Sequence, residues 1–163
     1  MKIMSLDQST TRSGFSVFVD GQYVKSGLID KHKNKDLNSR FKEMYEGIHE
    51  VIETENPDIV VIEDTQMQGG NGATYKVLCQ LQGAIMGMCY AMNIGFVVVT
   101  PSQWRSALGF KQGPKVKREE LKKQSIEFAK KEFGIDRCED EMEAVCINTG
   151  FHRIRSKDID IEI

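Results

Sequence analysis

Neither a CxxC pair nor a close Cys–His pair occurs in this chain, whose 4 cysteines, Cys79, Cys89, Cys138 and Cys146, stand 10, 49 and 8 residues apart. That spacing argues against a zinc site, and free, buried thiols in a reducing cytoplasm are expected. An apolar leader core is missing too, because Asp7 interrupts the N-terminus before one can form, so no signal peptide is expected. Long hydrophobic runs are lacking: Val77 to Trp104 is free of charge, but Gln80, Gln82, Asn93 and several glycines break it, and no membrane span is expected. Proline is scarce, at 3 of 163 residues, and no repeat, low-complexity segment or linker divides the sequence. With 40% hydrophobic and 28% charged residues, disorder, collagen and coiled coil are excluded, and one globular domain over residues 1–163 is expected.

The formal charge of −2 hides a polarised distribution. Residues 101–131 carry 9 basic and 3 acidic side chains, whereas residues 132–163 carry 4 and 9. A basic segment beside an acidic one can bind a polyanion locally whatever the net charge.

The order of elements follows from periodicity. Lys2 to Leu6 alternates and runs into Asp7; Gln8 to Gly14 is a polar turn; Phe15 to Val19 and Gln22 to Ile29 are two further strands joined by the hairpin turn Asp20-Gly21. Leu37, Phe41, Met44, Tyr45, Ile48, Val51 and Ile52 recur at helical spacing until Asn56-Pro57. Asp58 to Glu63 is a β-branched strand, Ala73 to Met92 an apolar helix, Ile94 to Thr100 a strand, and Pro101 opens a short helix. Helices follow at Arg118 to Phe133 and Cys138 to Phe151, after which Arg153 to Ile163 reads as an edge strand or a flexible tail. This pattern predicts an α/β fold: a five-stranded mixed sheet, an antiparallel meander plus parallel strands, flanked by helices.

Two carboxylates end strands in this order, Asp7 the first and Glu63 the fourth, and the topology places those strands side by side. Asp140 and Glu143 stand three apart on the final helix and share a face. Singly, each has an ordinary reading: an Asp after a strand is a turn residue, and acids in a helix's first turn suit its dipole. Glu63, closing the most hydrophobic strand, fits such readings poorly. Four carboxylates in one cleft repel one another, which makes sense when a hard divalent cation sits among them, and oxygen-only ligands favour Mg²⁺ or Mn²⁺. Two ions roughly 3.5–4 Å apart could hydrolyse a phosphodiester.

Leu6-Asp7-Gln8-Ser9-Thr10-Thr11-Arg12-Ser13-Gly14-Phe15, Val60-Val61-Ile62-Glu63, Gln80-Leu81-Gln82-Gly83 and Asp140-Glu141-Met142-Glu143-Ala144-Val145-Cys146-Ile147 resemble, in order and spacing, the RuvC-type Holliday-junction resolvases. The resemblance runs from residue 1 to about residue 151. It implies an RNase H-like fold, a homodimer, and metal-dependent symmetric nicking of four-way DNA junctions that leaves 5′-phosphates. Asp7, Glu63, Asp140 and Glu143 match the family's four metal-binding acids, which would hold two Mg²⁺ (or Mn²⁺) ions. Glu143 stands where Asp is commoner. Asp64 to Gln68 lacks the aromatic wedge of bacterial members, which brings the sequence closer to phage-borne members with a wider range of branched substrates.

Lys111, Lys115, Lys117, Arg118, Lys122 and Lys123 would form a positive rim for phosphates or simply a solvated face. Gln66 and Gln68 are candidate DNA contacts in the wedge-less loop. Gly83 and Gly87, four apart in the charge-free part of that helix, permit close approach either to the sheet or, as the resemblance implies, to a second copy. Trp104 reads as core. Asp7 to Thr11 with Gly14 also resembles the first phosphate loop of actin-like ATPases, but there is no room for their second lobe, so no nucleotide cofactor is expected. A flap or RNA nuclease of the same fold, and a branched-DNA-binding protein without turnover, compete with the junction-resolving reading.

Overall fold

The computed structural model describes the chain except residues 32–35, 68–70 and 160–163. Strands β1 (Lys2–Asp7), β2 (Arg12–Val19) and β3 (Gln22–Asp30) form the meander. Asp20 and Gly21 turn the second hairpin with φ of 48° and 78°, the doubly positive geometry whose twist matches the flanking strands. Helix α1 (Leu37–Glu55) is capped by the Asp36 carboxylate, which accepts from Ser39 N at 2.8 Å, and ends at Asn56 in the left-handed region. Then come β4 (Ile59–Glu63), α2 (Gly72–Ala91), β5 (Gly95–Val99), α3 (Pro101–Leu108), α4 (Arg118–Phe133) and α5 (Glu139–Ile159).

The sheet order is β3-β2-β1-β4-β5, with β1–β2 and β2–β3 antiparallel and β1–β4 and β4–β5 parallel. Period-two alternation divides the strand residues between two layers. Met4, Leu6, Val60 and Ile62 pack with Met44, Ile48, Ile52, Leu81 and Ile85 of α1 and α2. Ile3, Val61 and Val99 face the other way, onto Trp104, Cys146, Ile147 and Phe151 of α3 and α5. By the same parity Ser5, Asp7 and Glu63 belong to the α3/α5 face.

Two boundaries differ from the sequence reading. Strand β2 starts at Arg12, not Phe15, because Arg12, Ser13 and Gly14 already pair with Asp30, Ile29 and Leu28. Beyond Phe151, the expected edge strand or flexible tail is instead helical as far as Ile159. The extension is anchored by Arg153, whose guanidinium lies 5.4 Å from the Phe128 ring centroid and donates to Ala107 O at 3.4 Å. All four cysteines are free, as expected, but only Cys89 and Cys146 are buried; Cys79 and Cys138 are half-buried. No helix among the described residues is long and apolar enough to cross a membrane.

Candidate active site

Leu6 and Ile62 are partners in the β1–β4 ladder, so the next residue on each strand, Asp7 and Glu63, emerges at the same sheet edge on the same face. Asp7 is also paired across β2 with Gly14. A Cβ on Gly14 would lie 1.9 Å from the Asp140 carbonyl oxygen, so only a hydrogen there lets the first turn of α5 settle onto the sheet. A buried polar lattice fixes the next turns: Ser5 Oγ donates to Ala144 O at 2.6 Å, and Asn148 Nδ2 donates to Ile3 O and Ser16 Oγ, each at 3.2 Å. Asp140 and Glu143 are thereby aimed over Asp7.

All four acids line one open cleft of about 860 Å³, together with Gln8 to Arg12, Asp64 to Gln66, Thr74, Tyr75, Arg118 and Lys122. Burial, then the charges of Glu143, Glu63 and Asp140, hold the Asp7 carboxyl well above the usual range. Burial likewise pushes Glu63 up to about 7, against the opposing effect of an indole N–H bond from Trp104. Glu143 is raised by burial and eased by Arg105 and Lys122; Asp140 is raised by burial and eased by Arg12.

Two of the four acids are also tied to a neighbour: Arg12 Nε stands 3.3 Å from Asp140 Oδ2, and Trp104 Nε1 donates to Glu63 Oε1 at 2.8 Å. Beside them, Lys122 pairs with Glu139. Among the described residues no three His, Cys, Asp or Glu side chains stand close enough together to form a finished metal site. The donor chemistry nevertheless suits a hard divalent cation: oxygen ligands only, crowded enough that their mutual repulsion raises the Asp7 carboxyl.

Of the basic candidates, Arg118 and Lys122 line the cleft; Lys111, Lys115 and Lys117 are exposed on the loop beside it, and Lys123 pairs with Glu127 at 3.8 Å. Gln66 lines the cleft, on a loop tied to α2 by Gln82, whose side chain accepts from Thr65 N at 2.9 Å and donates to Asp64 Oδ1 at 3.2 Å. Gln68 lies outside the described residues. Gly83 and Gly87 do not pack on the sheet: both are exposed on α2, and a Cβ on either would meet nothing within 4 Å. Sequence reasoning missed Arg12, Arg105 and the polar role of Trp104. The Trp104-Arg105 pair after a helix-opening proline was the available sign.

A β3-β2-β1-β4-β5 sheet with carboxylates closing its adjacent first and fourth strands, and more acids supplied by a helix across them, defines the RNase H-like class. Within that class, the family described as "Crossover junction endodeoxyribonuclease RuvC" matches residues 3–138, and the chain belongs to the RuvC family. Relatives of that name include those of Ralstonia pickettii (strain 12J), 31% identical over 66% of this chain, and Geotalea uraniireducens (strain Rf4), 31% identical over 69%. The chain spans 61% and 64% of the length of these two relatives, respectively. Among solved structures, T. thermophilus RuvC in complex with Holliday junction substrate has a TM-score of 0.76 at 14% identity, covering 96% of both chains. The Fowlpox virus resolvase with substrate Holliday junction DNA has a TM-score of 0.59 at 19% identity over 99% of both. These two likenesses establish the fold.

Proposed function

We propose that this protein is a metal-dependent, structure-selective endodeoxyribonuclease that resolves four-way DNA junctions. The observation that carries the reading is the meeting of Asp7, Glu63, Asp140 and Glu143 in one cleft, from three elements up to 136 residues apart in sequence. Asp7 and Glu63 would jointly hold two Mg²⁺ ions, with Asp140 and Glu143 completing the set. When bound, such ions activate water and neutralise charge on the leaving 3′ oxygen. The rest is done by the chain itself. Arg118 and Lys122 hold phosphates at the cleft wall, Lys111, Lys115 and Lys117 continue that track along the loop, and Gln66 contacts the strand as it passes. The names of the relatives, and the junction DNA bound by the two structural neighbours, support a branched substrate. The open face of α2 at Gly83 and Gly87, where no side chain of the same chain lies within 4 Å, supports a homodimer, which would place two clefts on one junction.

The test is a cleavage assay on end-labelled four-way junction, three-way junction, flap and linear duplex, with and without Mg²⁺. Paired symmetric nicks in the four-way junction, lost in Asp7→Asn while junction binding is retained, are expected. Equal cutting of every branched form would point to a broader debranching nuclease. Binding without metal-dependent cutting, or an Asp7→Asn protein that cuts at the wild-type rate, would overturn the assignment.

A further inference from the structure

Trp104 is the only tryptophan in the chain, has no solvent exposure, and sends its one polar atom to an acid of the cleft. Its indole N–H donates to Glu63 Oε1 at 2.8 Å, which fixes that oxygen and leaves Oε2 as the oxygen free to take a ligand. The ring is held by two neighbours, and the residue's Cβ and backbone by a third. Phe110 meets it edge-on with centroids 5.9 Å apart, and the Arg105 guanidinium covers a face at 4.8 Å. Gly150 of α5 approaches so closely that a Cβ there would lie 2.7 Å from Trp104 Cβ. Gly150 lies seven residues beyond Glu143 on the same helix. Trp104 therefore touches both halves of the acidic set: Glu63 by a hydrogen bond, and the helix carrying Asp140 and Glu143 by packing.

We infer that Trp104 is a positioning residue for metal binding, holding the Glu63 carboxylate at a fixed orientation and distance from α5. This rests on the metal-dependent reading above. Most buried tryptophans use the indole N–H to satisfy a structural acceptor. Here the acceptor is a carboxylate already crowded by like charges, and the bond sets which oxygen faces the cleft. Outer partners of metal-ligating groups change affinity or activity by about ten- to hundredfold when removed.

Because Trp104 is the sole tryptophan, replacing tryptophan throughout the protein by β-(3-benzothienyl)alanine alters this position alone, keeping the bicyclic shape and exchanging N–H for sulfur. Trp104→Phe is the second variant, and either suffices if the other fails to fold. The readout is the Mn²⁺ concentration giving half of the metal-induced rise in melting temperature, with Glu63→Gln as the control for loss of the ligand itself. The expected result is a shift of about tenfold or more to higher Mn²⁺ in both variants, with metal-free melting close to wild type in the benzothienyl variant, which keeps the ring's shape, and four-way-junction binding in EDTA unchanged. A merely structural tryptophan would instead lower the metal-free melting temperature and leave the Mn²⁺ midpoint where it was, which would overturn the inference. If Mn²⁺ stabilises wild type and Glu63→Gln equally, the metal assignment of Glu63 fails first, and the inference with it.

Discussion

At the scale of the residue, the cleft holds acids that would rather be neutral. Asp7 and Glu63 bind protons more tightly in the folded protein than in the unfolded chain, and a folded state that binds more protons loses stability as pH rises. For Glu63 the window runs from its ordinary value of 4.5 to about 7. In EDTA, the melting temperature should fall between pH 5 and pH 8, and Asp7→Asn should flatten that fall and melt above wild type at pH 8. A melting temperature independent of pH in wild type would contradict the crowding. Saturating Mg²⁺ at pH 8 should restore what crowding removes, by binding the ionised folded state. The four acids were legible in the sequence because a carboxylate closing a β-branched strand and two more at i,i+3 are local facts. Arg12, Trp104 and Arg105 were not, because their meaning depends on which strand end lies beneath α3 and α5, a fact of packing that no short pattern carries.

At the scale of the element, the site depends on how closely α5 lies against β1 and β2. Gly14→Ala places a methyl carbon 1.9 Å from a backbone oxygen that no rotamer can move aside, so α5 must lift from the sheet. The expected cost exceeds about 3 kcal/mol, beyond the usual range for overpacking, and should appear in urea unfolding with cleavage lost. Ser5→Ala should act more mildly, removing a 2.6 Å bond to Ala144 O, with a cost of about 1–3 kcal/mol. Helix α1 could be read from its period of 3.6 because it buries one face, and β4, which is buried on both faces, from its β-branched run. The last helix outruns the reading because Arg153 and His152 are held by a distant ring and carbonyl, rather than by an apolar stripe of their own.

At the scale of the molecule, charge of one sign is gathered into the cleft and the other sign arranged beside it. Junction affinity should fall steeply with salt. Lys117→Ala with Arg118→Ala should flatten the slope of log K against log salt by about 1.8, at roughly 0.9 for each phosphate no longer neutralised. An unchanged slope would remove those residues from the DNA track. Gly87→Glu places a charge on the open face of α2, where nothing of the same chain lies within 4 Å. On the proposed homodimer, sedimentation should show wild type as a dimer and Gly87→Glu as a monomer with unchanged helix content. A variant that remained dimeric would move the interface elsewhere. The fold class and the neighbouring ends of β1 and β4 were legible from element order alone, whereas the outward exposure of Gly83 and Gly87 was not, because a charge-free stretch of helix can turn either face to its sheet. The Gly14–Asp140 contact has a consequence in time. Asp7 and Glu63 leave the ribosome early and Asp140 and Glu143 late, so a nascent chain with its whole sheet already made still carries only half of its acids, and the proposed cutting of DNA would wait for α5 to dock.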